Sequence, residues 1–109
     1  MSNSTPRLLQ LQELLKESPS DSFLLFAIAK EYEGLDELES ALSNYLLLKK
    51  HDPKYTGLYY HLGKLHELLD EEDQAMVIYQ EGIDHCIAVG DQHALNELKG
   101  AKVNLEMLS

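Results

Sequence analysis

The stretch Lys30–Tyr45 reads KEYEGLDELESALSNY, and thirty-four residues later Lys64–Tyr79 reads KLHELLDEEDQAMVIY. Lys30 matches Lys64, Glu33 matches Glu67, and Leu35 matches Leu69. The series continues through Asp36 and Asp70, Glu37 and Glu71, Ala41 and Ala75, and Tyr45 and Tyr79. Pro19 with Pro53 and Leu24 with Leu58 carry the same spacing further toward the N-terminus. A period of this length marks a supersecondary unit that cannot bury its apolar face alone, so like units stack.

The unit is helical. Leu8, Leu11, Leu14 and Leu15 follow helical spacing, as do Leu25, Ile28, Ala29 and Tyr32, and again Leu58, Leu62, Leu65 and Leu69. Strict alternation and Asn-Gly or Asp-Gly hairpin turns are missing from the sequence, so strands are not expected. The breaks predict six helices, near 6–17, 22–33, 37–50, 55–69, 72–89 and 91–107. Thr5 before Pro6 reads as an N-cap, and the SPSD segment at Ser18–Asp21 ends the first helix and caps the second. Asp36 reads as the cap of the third helix with Glu39 as its capping-box partner, and Asp70 as its repeat. Gly90 reads as a C-terminal stop and Asp91 as the next cap.

Period and pattern resemble the tetratricopeptide repeat, whose motif is W-x2-L-G-x2-Y, then A-x3-F, then P. In the first unit the matching residues are Leu25, Ile28, Ala29, Tyr32, Ala41, Tyr45 and Pro53; in the second they are Tyr59, Leu62, Gly63, His66, Ala75 and Tyr79. Ala29, Gly63, Ala41 and Ala75 are small where two helices approach closely, and Tyr45 and Tyr79 are large where the second helix fills the gap to the next unit. Leu25 replaces the large aromatic, His66 replaces the tyrosine, and the second unit lacks its closing proline. The resemblance implies an all-α, right-handed superhelical stack of helical hairpins forming one domain over 1–109. In it, 6–17 is a half unit, 22–54 and 55–89 are full units, and 91–107 is a capping helix.

Composition narrows the function. The chain of 109 residues, 44% hydrophobic, suffices for one domain with a modest core. A net charge of −10 disfavours nucleic acid and anionic membrane surfaces as partners. From Glu67 to Glu97 the sequence holds acids and no Lys or Arg, a distribution that suits a solvated face. The longest apolar run, Phe23–Ala29, is too short for a membrane span, and the single Cys86 fits a reduced, cytoplasmic setting.

Chemistry is sparse. No two of His51, His61, His66, His85 and His93 stand at the i, i+4 spacing that converges ligands on one metal. Cys86 sits between Ile83 and Ile87 with acidic neighbours that disfavour a thiolate, and reads as a small buried hydrophobe. His66 reads as a core histidine with a hydrogen-bond partner. Neither an enzyme nor a cofactor is expected.

The family resemblance implies that the first helix of each pair lines a concave groove. Its groove positions fall on Phe23, Phe26, Lys30 and Glu33, then Gly57, Tyr60, Lys64 and Glu67. The column runs aromatic, basic, acidic in both units, a surface suited to an extended or helical peptide. Family members that clamp a C-terminal carboxylate carry Lys and Asn where this chain has Phe26 and Lys30, so that clamp is not expected. The expected function is non-catalytic protein–protein interaction, as a scaffold or adaptor for a protein or peptide partner. The alternatives are a homodimer joined through the terminal helices and, from another class, a small metal-binding protein or enzyme.

Overall fold

The computed structural model describes residues 4–108. Six helices follow in order: α1 (Pro6–Glu17), α2 (Ser22–Gly34), α3 (Leu38–His51), α4 (Gly57–Leu68), α5 (Glu72–Val89) and α6 (Gln92–Leu108). No strand occurs among the described residues. The boundaries agree with the spacing to within two residues. The described chain divides between Tyr55 and Thr56 into two compact units, α1–α3 and α4–α6.

In the first unit, Leu8 and Leu11 of α1 share a core with Leu24, Ala27 and Ile28 of α2, and Leu15, Tyr32 and Leu35 pack on its edge. Burial of such side chains is the main favourable term, about 1.5–3 kcal/mol for each large one. Polar contacts fix the approach. The Arg7 guanidinium lies 3.0 Å from Glu31, and the Gln12 amide donates to the Tyr32 hydroxyl at 3.0 Å. The Ser22 hydroxyl donates to Asp52 at 2.6 Å, tying the start of α2 to the end of α3.

In the second unit, the close approach of helices is legible at two glycines. A Cβ on Gly63 would stand 2.2 Å from the ring of Tyr79, and one on Gly82 would stand 2.5 Å from Tyr59 and 2.9 Å from Leu98. Hydrogen replaces a methyl at both points, so α4 meets α5, and α5 meets α4 and α6, at distances no larger residue permits. His66 is buried and lies 2.9 Å from Glu71, as a core histidine with a partner should.

The turns repeat as faithfully as the helices. The N–H of Glu37 donates to the Tyr32 carbonyl at 2.9 Å and that of Asp36 to Glu33 at 3.0 Å; Glu71 donates to His66 at 2.8 Å and Asp70 to Glu67 at 3.0 Å. Each pair is a C-terminal closure of one six-to-one bond and one five-to-two bond, and it needs a left-handed residue. Asp36 and Asp70 supply it, each at φ 59°. The reading of Asp36 and Asp70 as helix caps with Glu39 as a box partner is thereby corrected. The residue preceding α3 is Glu37 and that preceding α5 is Glu71, and neither makes a side-chain capping bond. Aspartate is favoured at both kinds of site because its short side chain tolerates the left-handed region as well as the cap. The other caps are as expected: Thr5 accepts from the Leu8 N–H, Asp21 from Leu24 and Asp91 from Ala94, and Gly90 closes α5 at φ 77°.

Candidate functional site

The groove positions read from the sequence fall on α2 in the first unit and on α4 in the second. On α2 they do not share one environment. Phe23 is 61% exposed. Phe26, one turn on, is half-buried, with its ring 6.1 Å from that of Tyr45 and 5.3 Å from that of Tyr55. Phe26 therefore spends most of its surface on the hairpin. Phe23 is the aromatic presented to solvent. Lys30 is exposed and Glu33 half-buried.

On α4 the column is tighter. The Lys64 ammonium lies 5.7 Å from the centroid of the Tyr60 ring and 3.9 Å from a carboxylate oxygen of Glu67. The Tyr60 ring also meets His61 edge-on, with centroids 5.5 Å apart. A cation over an aromatic face is held by the ring quadrupole, so Lys64 is positioned toward Tyr60 while remaining within reach of a carboxylate. Gly57 at the start of α4 is exposed and adds no side chain to the face.

Glu33 and Glu67 have a role the sequence reading missed. The Tyr45 hydroxyl donates to Glu33, and the Tyr79 hydroxyl donates to Glu67. Both tyrosines are fully buried. Burial pushes each phenol well above its ordinary range, and the adjacent carboxylate pushes it further. Each acid of the column is thus committed to the second helix of its own hairpin. The signal for this was in the sequence: Glu and Tyr recur twelve apart in both units, Glu33 with Tyr45 and Glu67 with Tyr79. Tyr55 is a second omission. Its ring packs at a tilt against Phe26, and its phenol is pushed up by burial and then by Asp52 and Asp21.

The other reactive groups are also occupied in packing. Cys86 is buried, and burial followed by Asp91 raises its thiol. The His85 ring makes a 2.9 Å contact with the Thr56 hydroxyl and lies 5.8 Å from the ring of Tyr59. Among the described residues, no three His, Cys, Asp or Glu side chains gather as a metal-ligating group, and no helix is long and apolar enough to cross a membrane.

No family model matches the chain, and no curated protein matches its sequence. Solved structures do. The crystal structure of a tetratricopeptide repeat domain protein from Salinibacter ruber is 42% identical over 82% of this chain and 99% of its own, with a TM-score of 0.78. A solution structure of a tetratricopeptide repeat domain protein from the same organism, 42% identical, covers 84% of this chain and 92% of its own with a TM-score of 0.80. The solution structure of a protein from Bordetella parapertussis is 21% identical and covers 95% of this chain and 90% of its own, with a TM-score of 0.82, a likeness of fold.

Proposed function

Since the chain belongs to the tetratricopeptide repeat family, we propose that it is a non-catalytic interaction module that binds a peptide segment through the groove positions of its first helices, α2 in one unit and α4 in the other. The observation that carries the proposal is the Tyr60–Lys64 pair, an aromatic surface with a cation held over it in a chain of net charge −10. Phe23 supplies an exposed aromatic on the equivalent helix of the other unit, where Tyr60 is half-buried. Aromatic side chains bury large area at small entropic cost and dominate binding hot spots. The partner segment carries an apolar anchor and at least one acid. The chain acts as an adaptor in a reducing, cytoplasmic setting, with 6–17 as a half unit, 22–54 and 55–89 as full units and 91–107 as a cap in one domain.

The test is selection from a random peptide library, followed by titration of the selected peptide into isotopically labelled protein. Phe23→Ala with Tyr60→Ala is expected to weaken binding more than reversal of Lys64, because exposed charge pairs contribute only about 0–1 kcal/mol. Lys64→Glu changes the salt dependence of binding instead. Chemical-shift changes confined to α1, α3 or α5, with affinity intact in the double variant, would place the interface elsewhere and overturn the proposal.

A further inference from the structure

The two terminal helices hold the positions of half units, and each can be placed in the repeat by its turn. Ser18 ends α1 at φ −138°, ψ 71°, and Asp52 ends α3 at φ −145°, ψ 73°. The N–H of Asp21 donates to the Ser18 carbonyl at 3.0 Å as that of Tyr55 donates to Asp52 at 3.1 Å. α1 is thus in register with α3 at the thirty-four-residue offset, as the second helix of a pair. α6 is in register with α2. Asp91 accepts from the Ala94 N–H as Asp21 accepts from Leu24, and the N–H of Leu95 donates to the Asp91 carbonyl as that of Leu25 donates to Asp21, both at 3.0 Å. α6 therefore stands as the first helix of a pair.

These registers identify the residues that decide whether α6 of one copy can pair with α1 of another. In the complete hairpins the close-approach positions are Ala29 and Gly63 on the first helix and Ala41 and Ala75 on the second, and all four are buried. The corresponding residue of α6 is Lys99 and that of α1 is Arg7, and both are exposed. The rest of the two faces is inviting. Leu14 of α1 stands where Leu48 is fully buried in α3, yet it is 52% exposed, and it lines a shallow hollow with Leu9, Gln10, Glu13 and Glu17. Val103 and Met107 of α6 are exposed as well.

We infer that Arg7 and Lys99 close the two terminal faces against end-to-end pairing between copies. A joint built like the α4–α5 pair sets Lys99 where Gly63 meets the Tyr79 ring and Arg7 where Ala75 is fully buried. The joint has to desolvate both charges, a cost that apolar contact by the leucines does not offset. The homodimer through terminal helices is the arrangement these residues prevent. The inference does not depend on peptide binding by α2 and α4.

Light scattering and sedimentation on four proteins test it. The wild type keeps the mass of one chain across a dilution series. Arg7→Ala alone and Lys99→Ala alone also stay monomeric, because every joint retains one cation. An equimolar mixture of the two single variants forms dimers, since one joint is free of both charges. The double variant associates beyond dimers as concentration rises. Circular dichroism verifies the fold, and Arg7→Gln, which keeps a donor toward Glu31, replaces Arg7→Ala if that variant unfolds. A folded double variant that remains monomeric, or a wild type that associates through α1 and α6, overturns the inference.

Discussion

Tyr79 shows how a single side chain serves two neighbours. Its ring fills the space that Gly63 leaves open, and its hydroxyl donates to Glu67. Tyr45 repeats the hydroxyl contact on Glu33. The raised pKa of each phenol has a definite consequence for stability. An unfolded tyrosine titrates near about 10. The folded ones stay protonated to higher pH, because burial and the carboxylate disfavour the phenolate. The stabilisation is therefore complete below that unfolded value and is lost as pH rises beyond it, by about 1.4 kcal/mol per pH unit for each tyrosine. Urea unfolding between about pH 9 and pH 11 measures this loss. Tyr79→Phe lowers stability at neutral pH by about 1–2 kcal/mol through the lost charge-assisted bond, and it makes the alkaline decline shallower by one tyrosine's share. An unchanged alkaline slope would remove Tyr79 from the account. At this scale the sequence was only half legible. Small and large residues announced close packing at Gly63 and Tyr79, but the destination of a tyrosine hydroxyl depends on where two helices cross. Glu33 and Glu67 consequently read as groove residues when they also brace the hairpin.

At the scale of the helix, spacing located every element to within two residues because apolar periodicity and local caps are decided by near neighbours. Thr5, Asp21 and Asp91 were readable for that reason. Asp36 and Asp70 were not, because the difference between a cap and a left-handed closure is the sign of one backbone angle, which the residue type does not fix. The distinction is measurable. If Asp36 were a cap, Asp36→Gly would leave helix stability lower or nearly unchanged. At φ 59°, glycine instead relieves the steric cost of a Cβ, partly offset by its freedom in the unfolded chain. Asp36→Gly and Asp70→Gly are each expected to raise stability by about 0.5–1 kcal/mol, read as an upward shift in thermal midpoint. A lowered midpoint in both would restore the capping role.

For the molecule as a whole, the repeat period carried the architecture, while the division into units at Tyr55 and Thr56 was invisible in a pattern that runs on through both. The charge is unequal between them. Residues 1–55 hold six Lys and Arg against nine acids, and residues 56–109 hold three against ten. The buried phenols are shared evenly, with Tyr45 on Glu33 in the first unit and Tyr79 on Glu67 in the second. The chain contains six Tyr and no Trp, so these phenols shape its ultraviolet emission. A phenol that donates to a carboxylate transfers its proton readily in the excited state and emits weakly. Tyrosine fluorescence should therefore brighten when the protein unfolds, and Tyr45→Phe or Tyr79→Phe should each remove part of that increase; emission that stays level through the transition would show that the bonds are not held in solution. Each unit thus contains its own optical reporter, silent while its hairpin is closed, and the two variants let one follow either unit by light alone.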